Sequence, residues 1–371
     1  MKWADIVQRR PAVLAAVAVA VMAVLAIPVS RLQFGSSDQG HDPASTTTRQ
    51  AYDLLAQGFG PGFNGPLVLV AQASSPADAA ALQALEARLP RLADVASVAA
   101  DAAASGTTVI RLTPRSSPEA PATTALITTL RTTTIPAAER GTTLRVYVGG
   151  QSATIADFTS AVKARLPWFL LTIIGLSFLL LVIAFRSLLI PATAAVMNLL
   201  TAAATFGVMT ALFQWGWGLG ASGLGTAGPV ESFLPVLILP ILYGLSTDYQ
   251  VFLVSRMTEE WARSGDSHRA VRSGQAGTGR IITAAAAIMI CVFLAFSLMS
   301  QRTVAEFGIS LTIAVALDAF VLRTVLVPAV MHLSGAASWL LPRWLDRRLP
   351  HLAIEPVPLA GPSWGGFTHS G

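Results

Sequence analysis

Six apolar runs set the pattern of this chain: roughly 12–30, 167–185, 188–213, 232–256, 281–300 and 308–333. Each approaches or exceeds the ~20 residues that an α-helix needs to cross a hydrocarbon core. The long stretch between the first two, 31–166, changes rhythm. GPLVLVAQA (65–73), TTVIRLTP (107–114) and TLRVYVGG (143–150) read as strands, rich in β-branched residues. ADAAALQALEARL (77–89) and PATTALITTLR (121–131) have helical spacing. DVASVAAD, joined to TTVIRLTP through Ala and Gly, predicts a hairpin. The resulting order β-α-β-β-α-β is that of a ferredoxin-like split βαβ unit. A last helix, Ser152 to Leu166, leads back towards the second run. The expected fold is therefore a mainly α membrane protein: six spanning helices and one α/β domain outside the membrane.

Composition agrees, since 53% of the 371 residues are hydrophobic and 12% charged, against about 25% charged in a typical soluble domain. The formal charge of +5 does not mark a nucleic-acid binder, because the basic residues are dispersed or flank apolar runs. They carry topology instead. Lys2, Arg9 and Arg10, the series Arg256, Arg263, Arg269, Arg272 and Arg280, and the tail's Arg343, Arg347 and Arg348 would all lie in the cytoplasm. The opposing short segments are poor in cations: 214–231 has none and 301–307 only Arg302. This gives a multi-pass protein of the cell membrane with both termini cytoplasmic. Its parts are an N-terminus and first helix (1–30), an external α/β domain (31–166), a five-helix bundle (167–333) and a tail (334–371). The first run is too long for the core of a signal peptide and reads as an anchor.

Asp248 breaks the fourth run. It lies about 22 Å along the axis from Phe233 at 1.5 Å per residue, where an ionised carboxylate costs several kcal/mol. Such a residue is expected to face other helices and to rest protonated, which suits a proton relay. Tyr249 follows, about 100° away round the helix, so each should meet a different partner. Asp318 and Arg323 form a second constellation in the last run. Five apart on an α-helix they are ~140° apart and do not make an i,i+4 pair, so each is expected to reach another helix. Glu231, Glu306 and Arg302 read as solvated groups at the external membrane edge. His41, His268, His332, His351 and His369 are scattered without metal-ligand spacing. GLGASGLGTAG (218–228) lacks the strand and the Lys-Ser/Thr of a phosphate loop, and the absence of a Walker motif argues against ATP as energy source. No cofactor is expected.

Several stretches together resemble one half, the C-terminal one, of an MMPL-family transporter of the RND superfamily. They are RQAYDLLAQGFGPGFNGPLVLV (49–70), VYVGGQSATIADF (146–158), YGLSTDYQVFLVSRMTEEW (243–261), ALDAFVLRTVLVPAVM (316–331) and WLLPRWLDRRLP (339–350). The resemblance implies proton-driven export of lipid-like or hydrophobic compounds, drugs among them. Asp248 and Tyr249 would be the relay, and Asp318 and Arg323 possible coupling residues. It implies a facing Asp-Tyr helix from a second RND-type half or a second copy, since the N-terminal repeat is expected to be missing. One departure is Gln250, where the family often has Glu after Asp-Tyr. Membrane lipids are the expected surroundings. Two other readings stay open: an accessory subunit or inactive truncated half, and, more remotely, an intramembrane aspartyl protease using Asp248 and Asp318.

Overall fold

A computed structural model describes residues 2–102, 106–219, 223–299 and 301–339. The basic tail from residue 340 onward, with Arg343, Arg347 and Arg348, lies outside them. Among the described residues, six helical segments are long and apolar enough to cross a membrane: Pro11–Arg31, Gln151–Phe185, Leu189–Gln214, Leu234–Ser264, Ser267–Phe296 and Arg302–Trp339. Their order and number match the apolar runs, and three of them reach well beyond the run on one side: Gln151–Phe185 and Ser267–Phe296 start earlier, and Leu234–Ser264 ends later. The chain is a multi-pass membrane protein.

A short helix α1 (Lys2–Arg9) precedes α2 (Pro11–Ala26), which starts on Pro11 in the first turn, where its missing N–H costs nothing. β1 (Phe34–Gly35) and α3 (Thr47–Phe59) follow, the latter capped by Thr46, whose hydroxyl accepts from Arg49 N. Then come β2 (Leu67–Gln72), α4 (Pro76–Arg88), β3 (Val95–Ala102) and β4 (Thr107–Pro114). α5 (Pro121–Thr129) runs through a π turn into α6 (Ile135–Glu139), and β5 (Arg145–Gly149) completes the unit. The sheet order is β3-β4-β2-β5, with every pairing antiparallel. Ser75 and Asp78 form a reciprocal capping box at α4, and Asp78 also accepts from the Thr143 N–H and hydroxyl, at 2.8 and 2.7 Å. That one carboxylate ties the start of α4 to the approach to β5. Alternate residues of β2 (Leu67, Leu69, Ala71) are fully buried against Leu85, Leu89, Leu126 and Leu130. Each such leucine contributes about 1.5–3 kcal/mol.

The helix expected at 152–166 and the span expected at 167–185 are one continuous helix, α7 (Gln151–Phe185), with Pro167 inside. It carries the chain from the sheet into the bundle without a break. α8 (Leu189–Met209) continues as a π turn to Gln214. β6 (Val230–Glu231) pairs in parallel with β1, Phe34 opposite Val230. α9 (Leu234–Ser264) and α10 (Ser267–Phe296) are nearly continuous: Gly265 takes the left-handed conformation (φ 65°) and Asp266 caps α10. The basic 257–280 segment is thus mostly helix, with only a tight turn inside it. The last spanning segment is α11 (Arg302–Ala316), a ten-residue π stretch Leu317–Leu326, and α12 (Val327–Ser334).

Small residues let α2 and α8 meet backbone to backbone. A Cβ built on Gly207 would lie 2.0 Å from the Leu25 carbonyl oxygen, a contact that only glycine permits. Gly207→Ala is therefore expected to lower stability by about 1–3 kcal/mol through overpacking. Thermal unfolding in mild detergent reads this out, with Gly175→Ala, where no such atom lies within 4 Å, as the neutral control.

Candidate functional site

The polar centre of the bundle is built on the π stretch. A π-helix closes i→i+5 hydrogen bonds, so residues five apart stand nearly above one another. Asp318 and Arg323 therefore meet, Nε donating to Oδ2 at 2.6 Å and Nη2 lying 3.4 Å from Oδ1. The expectation that the two do not pair is corrected, because it assumed 3.6 residues per turn. Both are almost wholly buried, at 4% and 3% exposure. Arg323 also reaches α9, as expected, donating to the Ser246 carbonyl and, at 3.1 Å, to its hydroxyl. The Ser246 Oγ lies 2.6 Å from Asn198 Oδ1 and 3.0 Å from Asp318 Oδ1, so its single proton can serve either one. Asn198 and Ser246 escaped the sequence reading. Asn198 is the one amide in the run 188–213, a signal that could have found it.

Tyr249 and Asp248 part company. The Tyr249 ring lies under the Arg323 guanidinium, 4.9 Å from its centroid, and its hydroxyl donates to Met289 Sδ at 3.7 Å. Asp248 points away from this cluster and is exposed on the outside of the bundle. There it lines a groove of about 520 Å³ with Phe185, Arg186, Phe252 and Arg256. The expectation that Asp248 faces other helices is not met within this chain. Nor are Asp248 and Asp318 brought together as a protease pair, since Asp318 is held by Arg323 on the inner face. Gln250 is buried on that inner face too.

A cavity of about 320 Å³ adjoins Arg323, lined also by Gln275, Thr278, Thr283 and Trp3. Arg323 Nη1 and Gln275 Oε1 are buried with no protein partner. The Thr324 carbonyl accepts from both Trp3 Nε1 and Gln275 Nε2, each at 2.9 Å.

A second polar cluster joins the bundle to the α/β unit. Arg302 and Glu306, expected to be solvated, are 2% and 0% exposed, and Glu231 is 4%. The end of α8, the described parts of the loop after it and the segment after α2 fold over them. Arg302 Nε donates to Glu306 at 2.9 Å, and its Nη atoms donate to the carbonyls of Thr226, Phe213 and Gly228. Glu231 accepts from Ser37 N at 2.9 Å and from the Thr303 hydroxyl at 3.2 Å. Burial lifts its pKa above the usual glutamate range. Beside it, His41 Nδ1 lies 3.2 Å from Asp38 Oδ1 and 3.3 Å from Glu119 Oε2. Burial opposes a charge on His41, but its bonds to Asp38 and Glu119 outweigh that and lift its pKa to about 9. At the other end of the bundle His268 and His332 stack, Nδ1 to Nδ1 3.1 Å. Two of the histidines scattered in sequence, His268 and His332, are thus brought together by the fold, while His351 and His369 lie outside the described residues.

The sequence has known relatives. The profile of the MMPL family matches residues 67–359. The chain belongs to the MMPL family. It is 36% identical to Membrane protein YdfJ of Bacillus subtilis, covering 95% of this chain and 49% of that protein. It is 34% identical to Heme uptake protein MmpL11 of Mycobacterium tuberculosis, covering 96% and 37%. With Trehalose monomycolate exporter MmpL3 of M. tuberculosis it shares 33%, over 96% of this chain and 39% of that protein. The chain thus spans half or less of the length of these relatives. The Asp-Tyr helix and the π stretch with Asp318 and Arg323 fall inside the matched region.

Proposed function

We propose that this MMPL chain is one half of a proton-motive-force-driven exporter of lipid-like or hydrophobic compounds in the cell membrane. Asp248 and Tyr249 form its proton relay, and Asp318 with Arg323 couples that relay to helix movement. Both termini are cytoplasmic, and residues 31–166 form an external ferredoxin-like porter domain. Lipid-like cargo is supported by relatives named as exporters of trehalose monomycolate and of mycolic acid-containing lipids.

One observation carries the relay: the pair is split between two faces of α9. Tyr249 is turned in onto Arg323, whereas Asp248 stands on the outer face without a hydrogen bond or ion pair among the described residues. A carboxylate left so in a membrane helix needs a facing group. A second RND-type half, or a second copy of this chain, supplies it. The unpartnered Arg323 Nη1 and Gln275 Oε1 beside the same cavity need a group that both accepts and donates, and water does both. A hydrated path to Asp318 from the α1 end of the bundle follows.

Asp248→Asn is expected to abolish export while leaving the unfolding temperature unchanged within error, because an exposed side chain without partners contributes within about 0.5 kcal/mol. The check pairs an export assay in cells carrying the complete transporter with thermal unfolding of the purified chain. Undiminished export by Asp248→Asn would end the relay reading.

A further inference from the structure

Asp38, His41 and Glu119 lie outside the membrane-spanning helices, and the export reading leaves them without a task. Asp38 caps a single 3-10 turn, Gln39–His41, which brings its carboxylate and the His41 ring to one side. Glu119 arrives from the turn before α5, 78 residues further on. One donor atom from each (Asp38 Oδ1, His41 Nδ1 and Glu119 Oε2) lies within 4.8 Å of the others. The two measured edges, 3.2 and 3.3 Å, match a tetrahedral ion with ligands at 2.0–2.1 Å, whose ligand atoms stand about 3.3 Å apart.

The surroundings hold these atoms in place. Asp38 Oδ2 accepts from the Tyr52 hydroxyl at 2.7 Å, and Glu119 Oε1 accepts from Asp38 N. One oxygen of each carboxylate is thus fixed by a donor and the other faces the imidazole, with Asp38 Oδ1 also accepting from Gly40 N at 2.9 Å; such outer support is what metal sites use. The ring sits in a place that only glycine leaves free. A Cβ at Gly228 would be 2.3 Å from His41 Cδ2, and one at Gly225 would be 1.9 Å from the His41 carbonyl oxygen. Thr226 N donates to that same carbonyl at 3.1 Å. Charge points the same way. Arg302 is ion-paired with Glu306, and the two carboxylates Asp38 and Glu119 both meet the single imidazole of His41, with Lys163 on the wall of the adjoining cavity. Asp38 and Glu119 also form part of the wall of a cavity of about 320 Å³ that runs between α7 and the segment after α2. It gives an entry path to the two carboxylates.

We propose that Asp38, His41 and Glu119 bind one divalent cation of the zinc class, which clamps the segment after α2 to the α/β unit. An imidazole with two carboxylates suits such an ion. Because His41 is also bonded to Thr226, the clamp fastens the loop before α9 to the same point. The ion takes the place of the proton that His41 otherwise carries, so binding releases protons.

The test uses the purified chain in mild detergent, freed of metal by a chelator and titrated with zinc chloride in a calorimeter. One zinc per chain is expected, with proton release seen as a heat that depends on the buffer, and with a rise in unfolding temperature. His41→Ala and Glu119→Gln should weaken binding roughly 100-fold or more, and Tyr52→Phe roughly 10-fold. Cobalt chloride added to the unaltered chain should give the visible absorption of a four-coordinate site, so the proposal stands or falls even if a variant does not fold. Zinc uptake equal in wild type and His41→Ala, or no such cobalt spectrum, overturns it. His41 is then only a protonated bridge between two carboxylates.

Discussion

Asp318→Asn is expected to destabilise the bundle by about 3–5 kcal/mol, the cost of stripping one partner from a buried ion pair. The asparagine keeps the shape but not the charge. Arg323 would remain a buried cation, with neutral acceptors alone: the Ser246 carbonyl and hydroxyl and the one amide oxygen left at position 318. Its Nη1 lacks a protein partner even in the intact pair. Thermal unfolding in mild detergent should show a fall of several degrees or loss of the cooperative transition. Arg323→Met should behave similarly, since it leaves the Asp318 carboxylate without its ion-pair partner. The double variant Asp318→Leu/Arg323→Met should regain most of the lost stability, since an apolar pair removes both desolvation penalties. It should not regain export. That split between stability and transport separates a coupling role from a structural one. Additive losses in the double variant would instead show that the two residues do not act as a pair.

Arg302→Met has the second largest expected effect. It would leave the carbonyls of Thr226, Phe213 and Gly228 without their shared donor and Glu306 without its partner. An unpaired buried charge again costs about 3–5 kcal/mol, less whatever protonation of Glu306 recovers. The consequence is local, because those carbonyls lie in the π turn that ends α8 (Phe213) and in the loop after it (Thr226 and Gly228). Hydrogen exchange should quicken across the described parts of 213–231 and in 33–41, which pairs with it through β1 and β6, while β2 and β4 keep their protection. Unchanged exchange in both segments would mean that the guanidinium does not hold the junction.

Sequence reading went furthest where the signal is repetitive. Hydropathy over ~20 residues locates a spanning helix whatever its neighbours do, because every backbone group must be satisfied within the helix. Runs of apolar and β-branched residues in LVLVAQ and TTVIRLTP likewise marked strands of the four-stranded sheet. Asp248 was legible because a carboxylate in an apolar run is costly wherever it points. Its direction was not legible. Asp248 faces outward and Tyr249 inward because Ser246, Gln250 and Leu253 are the residues of α9 that pack inside.

The pairing of Asp318 with Arg323 was misread for one reason: local period was taken as that of an α-helix. Nothing in LDAFVLRTVL announces ten residues of π-helix. That wider turn is held by contacts made elsewhere, among them the Thr324 carbonyl accepting from Trp3 and Gln275. Arg302 and Glu306 had the i,i+4 spacing of a helix pair in plain view. Their burial was hidden, because the segment that covers them starts at the end of α8, 89 residues before Arg302.

By itself, then, the sequence determined the six spans, the α/β unit between the first two and the presence of an acid deep in the fourth. These follow from the cost of exposing backbone or charge to hydrocarbon, and that cost is paid residue by residue. Only the tertiary structure decided which polar groups share a site. Asp318 reached Arg323 through a change of helix type, and His41 reached Glu119 across 78 positions because the segment after α2 lies against the turn before α5. Such meetings depend on how separate elements pack, and no local pattern in the chain records them.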